Sequence, residues 1–170
     1  MNSDYRQFLN RKSYRALLVM SMAIVWGTLF SAMIFSAPLL LHLGCGRAAF
    51  LNYLFFSPLC HQLPERSFSL CGYQLAACAR CTGICIGSLT GLLFILGSYE
   101  RRLKNIPEKK LFFLFGAPMG VDWLLATAGI YDSFAFLRAL TGFLMGVILP
   151  FYIVPGIFDI VTRRASRDGT

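Results

Sequence analysis

Cys78 and Cys81 stand with two residues between them in the stretch Cys78-Ala79-Arg80-Cys81-Thr82-Gly83, and Cys60-His61 precedes them in the same connection. A C-x-x-C pair brings two thiols together. Placed at the start of a helix it does more, because the free amide N–H groups and the positive dipole end favour thiolates. Arg80, between the two cysteines, acts in the same direction. Thiolates are the form that both metal binding and disulfide exchange require.

Three chemistries fit these residues. In the first, Cys60, His61, Cys78 and Cys81 supply ligands to Zn²⁺, whose tetrahedral sites are built from such Cys and His sets. Adjacent ligands are awkward on one ion, so either Cys60 or His61 would face elsewhere and leave a position for water or substrate. In the second, Cys78 and Cys81 are a redox pair that exchanges with a disulfide among Cys45, Cys60 and Cys71. Disulfides persist on the oxidising outer face of a bacterial-type membrane. A four-helix bundle with C-x-x-C at the outer start of its second helix is similar in architecture to the disulfide-bond-forming quinone reductases, which implies a quinone near the thiols. In the third, disulfides staple a long loop of a structural or interaction protein. Cys85 reads as a small packing residue, and the Cys78, Cys81, Cys85 spacing departs from ferredoxin-type cluster motifs.

The elements that must position these thiols are apolar helices. Of 170 residues, 56% are hydrophobic and 14% charged, whereas a soluble domain has about a quarter charged. A membrane helix needs about 20 apolar residues, and four runs qualify: 16–41, 80–99, 111–130 and 137–160. The fold expected is an all-α integral membrane protein, one transmembrane domain over 1–170. The first run exceeds the apolar core of a secretory signal, so no cleavage is expected there. Gly83, Gly87 and Gly91, and Gly142 and Gly146, recur every fourth residue, a spacing that lets helices pack closely in lipid.

The net charge of +8 describes topology and calls for no nucleic acid. Twelve of the sixteen basic residues lie on one side: Arg6, Arg11, Lys12 and Arg15 before the first run, Arg101, Arg102, Lys104, Lys109 and Lys110 between the second and third, and Arg163, Arg164 and Arg167 after the fourth. The positive-inside rule then makes both termini cytoplasmic in a bacterial-type inner membrane. The 42–79 connection becomes an outer, Cys-rich loop, beginning with a short interfacial helix that ends at Pro58. Asp132 to Phe136 makes a short outer turn, and His42 is an interfacial residue.

Asp122 is stranded inside the third run, about 12 Å from its outer end at 1.5 Å per residue. A carboxylate at that depth needs a partner or a cavity. Arg138 and Arg80 are the candidates, with an Asp122–Arg138 pair expected beneath the thiols or Asp122 orienting His61. Asp159 reads as an interfacial acid near Arg163. Arg66, Arg80 and Arg138 would form a cationic outer rim suited to an anionic lipid headgroup or phosphate. If the centre is catalytic, its metal would polarise a substrate or activate water, and Asp122, Arg138, Arg80 and Arg66 would bind or move protons around it. A lipid or other amphipathic substrate suits a site at this depth. No motif names a reaction.

The string Cys60-His61-x-x-Pro64-x-Arg66-Ser67-Phe68, then Cys78-x-Arg80-Cys81-x-Gly83 and Gly87, resembles an uncharacterised prokaryotic membrane-protein family, a domain of unknown function. Pro118-Met-Gly-Val-Asp122, Ser133 and Leu137-Arg138-x-x-Thr141-Gly142 resemble its second half. The likeness runs over about residues 55 to 146. It implies no activity, but it singles out Cys60, His61, Arg66, Cys78, Arg80, Cys81, Asp122 and Arg138. That family usually has an aromatic residue where Cys85 stands and does not require Cys45 or Cys71. The resemblance therefore favours a metal over an essential loop disulfide.

Overall fold

The structure, a computed structural model, describes residues 3–97, 107–130 and 134–157, with side chains from Leu17 onward. In lipid every backbone polar group must be satisfied within the chain, so apolar runs of this length become helices. Four do. Helix α1 is Ser3–His42, with its apolar part over Leu17–His42. After the short α2 (Gly46–Phe56) and the cysteine-bearing loop come α3 (Ala79–Gly97), α4 (Lys109–Thr127) and α5 (Ala135–Ile148). The fourth span continues past Leu149 to Ile157. The expected runs are thus present with bounds moved by a few residues. The basic residues Arg101, Arg102, Lys104, Arg163, Arg164 and Arg167, the turn residues Asp132 and Ser133, and Asp159 lie outside the described residues, as do the side chains of Arg6, Arg11, Lys12 and Arg15.

The scaffold is the α3–α5 pair. A Cβ added at Gly83, Gly87 or Gly91 would run into the backbone carbonyl of Ala139, Phe143 or Val147 respectively. In return, Gly142 and Gly146 sit against the carbonyls of Arg80 and Ile84. The glycines therefore remove side chains from both sides of one seam, and the backbones meet directly. A second apolar cluster, centred on Met20, Leu92, Ile95, Ile148, Phe151 and Val154, joins α1 to this pair at the end away from the loop.

Pro38 explains how the loop attaches to α1. A helical residue at 38 would donate its N–H to the carbonyl of Ile34, and proline has none to give. The Ile34 carbonyl instead accepts the N–H of Ala76 at 3.3 Å. Ile34, Pro38 and Ala76 are all fully buried. Pro38→Ala restores a competing donor, so it is expected to weaken this docking by about 1 kcal/mol. Amide exchange at Ala76 should then be about fivefold faster; an unchanged rate would contradict the docking role.

A candidate metal centre where the loop meets the third helix

The loop is built by turns that the span pattern did not foreshadow. Ser69–Leu70 and Tyr73–Gln74 form a small antiparallel hairpin within the loop of the otherwise all-α chain. Its two-residue turn, Cys71-Gly72, has positive φ at both positions (53° and 82°), the requirement of a tight hairpin turn whose twist matches the strands. The tripeptide Leu75-Ala76-Ala77 then runs buried into Cys78, which immediately precedes α3. The Cys78 carbonyl accepts the N–H of Thr82 at 3.0 Å and its hydroxyl at 3.1 Å, starting the helix. Cys78 and Cys81 are thus at the first turn of α3, as their spacing predicts.

Cys60 joins them. The three Sγ atoms of Cys60, Cys78 and Cys81 all lie within 4.8 Å of one another, and the Cys78 N–H donates to Cys60 Sγ at 3.1 Å. The Cys60 thiol is pulled far below its ordinary range. The Cys78 thiol is the largest cause, the Cys81 thiol the next, and the Cys78 and Gln62 backbone groups assist against a partial burial that opposes them. Three sulfurs bound at about 2.3 Å to one tetrahedral ion sit about 3.8 Å apart, so small side-chain rotations close the cluster on a metal. All six cysteines are thiols in the structure. Cys45 and Cys71 are exposed and away from the cluster, and Cys85 packs against the same apolar core as Cys78 and Cys81.

His61 is not brought in. Cys60 is 9% exposed and points into the core, while its neighbour His61 is exposed. Consecutive residues in non-helical chain project to different sides, and only one of this pair can reach the thiols. The ligand set that the geometry offers is therefore three cysteines, and His61 stands outside it.

Gln62 holds Cys60 in place, a role with no signal in the sequence. Its backbone is in the left-handed region (φ 51°). Its side-chain amide donates to the carbonyls of Tyr53 and Ala76, both at 2.8 Å, and its own carbonyl accepts from the Gln74 side chain at 3.0 Å. Three segments are clamped beside Cys60. Gln62→Ala is expected to release Cys60, read as several-fold faster alkylation of that thiol in the metal-free protein. Gln62→Gly, which relieves the backbone but also lacks the amide, should behave alike; a slow, wild-type rate in Gln62→Gly would assign the effect to strain alone.

Beneath the thiols lies a buried ionic pair. Arg80, one of the two cations expected to reach Asp122, forms an ion pair with it. Asp122 is 4% exposed and Arg138, on α5, 7%. Gly142, one turn after Arg138, packs on the Arg80 carbonyl, so the two arginines enter the helix bundle at one level. Arg66 ends the short turn Pro64–Arg66 and is exposed on the loop. The three arginines thus divide into one at the surface and two in the interior, in place of the common rim expected.

A family described as Predicted membrane protein (DUF2085) matches residues 60–152, from Cys60 through Cys78 and Cys81 into the fourth span. The chain belongs to this family. Uncharacterized protein MJ1492 of Methanocaldococcus jannaschii is 34% identical over 160 residues, which is 90% of this chain and 98% of the relative. An uncharacterized protein of Methanothermobacter thermautotrophicus is 33% identical over 98 residues, 54% of this chain and 81% of the relative. No solved structure matches. The family interval begins at the first cluster thiol and includes Arg66, Cys78, Arg80, Cys81, Asp122 and Arg138, while Cys45 falls outside it.

Proposed function

We propose that this membrane protein binds one zinc ion through Cys60, Cys78 and Cys81 at the outer mouth of its helices, and acts there on a lipid or other amphipathic molecule. The observation that carries the reading is the convergence of three thiol sulfurs from two separate segments within 4.8 Å. Three protein ligands leave a tetrahedral ion one position for water or substrate, the arrangement of catalytic zinc. Bound zinc supplies a Lewis acid there. Cys78 and Cys81 anchor it to the first turn of α3, Cys60 closes it from the loop, and Arg80 with Asp122 gives the site a fixed polar floor. Arg66, exposed on the loop, is the cation that would meet an anionic headgroup. With both termini cytoplasmic, the loop faces outward, as the distribution of basic residues favours.

Elemental analysis of the purified protein tests this. About one zinc per chain, lost in Cys60→Ser, Cys78→Ser and Cys81→Ser but kept in His61→Ala and Cys71→Ser, is the expected pattern. Retention by the three serine variants would reject the ligand set. Topology is read by an impermeant maleimide on intact cells: Cys71, exposed on the hairpin tip, should react, and protection until lysis would reverse the orientation.

The same proximity supports a second reading, thiol–disulfide exchange. In it the Cys78 and Cys81 thiols are oxidised to a disulfide while a quinone takes their two electrons and two protons, and Cys60 lies close enough to exchange with that disulfide, releasing one of the two as a thiolate. It predicts metal-free protein in which two of the three cluster thiols are oxidised.

A further inference from the structure

The short helix α2 divides cleanly into two faces. Ala49, Asn52, Tyr53 and Phe56 lie three and four residues apart and turn inward: Asn52 donates to the Ser36 hydroxyl on α1 at 2.9 Å, the Tyr53 hydroxyl donates to the Gln74 carbonyl, and Phe56 stacks edge-on against Phe30 of α1 with ring centroids 4.8 Å apart. Tyr53 and Phe56 belong to the apolar cluster that contains Cys60, Cys78 and Cys81. On the other face, Arg47, Phe50, Leu51 and Leu54 recur at the same helical spacing. Phe50 and Leu51 are each 64% exposed and Leu54 55%. Eleven residues make a helix about 16 Å long, far short of the about 30 Å of hydrocarbon a span must cross.

We propose that α2 lies in the membrane plane with Phe50, Leu51 and Leu54 inserted at the acyl–headgroup boundary of the leaflet on the loop side, and that its partner is anionic phospholipid. Two observations choose lipid as the occupant. The exposed face of α2 follows directly on the span of α1, whose Phe35 and Leu39 are also exposed, so one apolar surface continues from the span onto α2. Arg47, exposed at the N-terminal end of that face, can keep its guanidinium at the headgroup phosphates while its stem lies along the apolar side chains. The inward face being a wall of the thiol cluster, this insertion holds the cluster at the headgroup level, where a molecule dissolved in the leaflet meets it.

The test is fluorescence depth quenching of the full chain in vesicles of phosphatidylcholine with phosphatidylglycerol. Leu51→Trp, in a Trp26→Phe, Trp123→Phe background, reports the face; Phe50→Trp is a second reporter should the first fail to fold. Quenching by lipids brominated near the headgroup end of the acyl chain should exceed quenching by aqueous iodide several-fold. Tyr73→Trp, on the hairpin, should show the reverse. Arg47→Gln should shift the reporter toward water in phosphatidylglycerol vesicles and not in pure phosphatidylcholine. Iodide-dominated quenching at position 51 would put the face in water, protection from both quenchers would put a second copy or another protein on it, and either overturns the proposal. An Arg47→Gln shift of equal size in both vesicles would remove the anionic-lipid half. Zinc content is measured separately, so failure here and failure of the metal reading are distinguishable.

Discussion

Gly87→Leu is expected to abolish assembly of the helices. The α-carbon of Gly87 faces the Phe143 carbonyl with no room for even a β-carbon, and the Val147 amide nitrogen would stand 3.0 Å from one. The contacts are backbone atoms on a rigid helix, so nothing can swing aside; the helices must part. Over-packing by a few methylenes costs about 1–3 kcal/mol where side chains can adjust, and here they cannot. Gly87→Ala alone should lower the thermal midpoint measurably, and Gly87→Leu should leave little folded protein in detergent. Parting α3 from α5 also detaches Arg80 from the wall beside it, so residual Gly87→Ala protein should bind metal more weakly. Gly97 and Gly120, where an added Cβ would meet nothing within 4 Å, should tolerate alanine. Equal tolerance at Gly87 would contradict the seam.

Asp122→Ala carries the second large effect. Asp122 is the buried residue of α4 among its described positions, so the ion pair with Arg80 is a principal fastening of this helix to the bundle. Removing one partner of a buried pair costs about 3–5 kcal/mol, because the other charge is left without compensation. The loss should appear as a lowered unfolding midpoint, with Asp122→Asn between alanine and the wild type. An Arg80→Leu, Asp122→Leu double variant removes both charges, and apolar replacements of whole pairs are often neutral or stabilising. It should therefore recover stability that Asp122→Ala loses. A double variant as unstable as the single one would show that the pair is not what holds α4.

The length of the apolar runs made the four spans legible, since a continuous run of about 20 apolar residues satisfies its own backbone groups in hydrocarbon as a helix. The cysteine pair was legible because helix-start cysteines three positions apart share a side of the helix. Its third partner was half legible: the Cys60-His61 dipeptide announced a ligand, but the choice between the two depends on the path of the chain through Gln62, whose left-handed backbone no propensity predicts. The hairpin turn at Cys71-Gly72 was hidden for a similar reason, since a cysteine at positive φ is held there by the strands and not by its own preference. The Arg80–Asp122 pairing was half legible: the stranded acid called for Arg138 or Arg80, but the depth of each arginine is not written in the sequence. Arg80 and Arg138 both stand at helix starts, and their placement follows from how the glycine seam sets α3 against α5. Pro38 is the converse case, a residue visible as a helix breaker whose use, the freed Ile34 carbonyl, appears only once the loop is in place.

At the centre stand three thiols whose sulfurs lie within 4.8 Å of one another, the set proposed to share one ion. Native mass spectrometry of the intact chain, released from detergent without reductant or chelator, reads every alternative in a single spectrum. The expected species has the chain mass plus one zinc in place of the protons it displaces, and Cys81→Ser should revert to the bare chain. A wild-type mass that lacks metal and is two hydrogens light, with the disulfide mapped to Cys78 and Cys81, would contradict the metal centre.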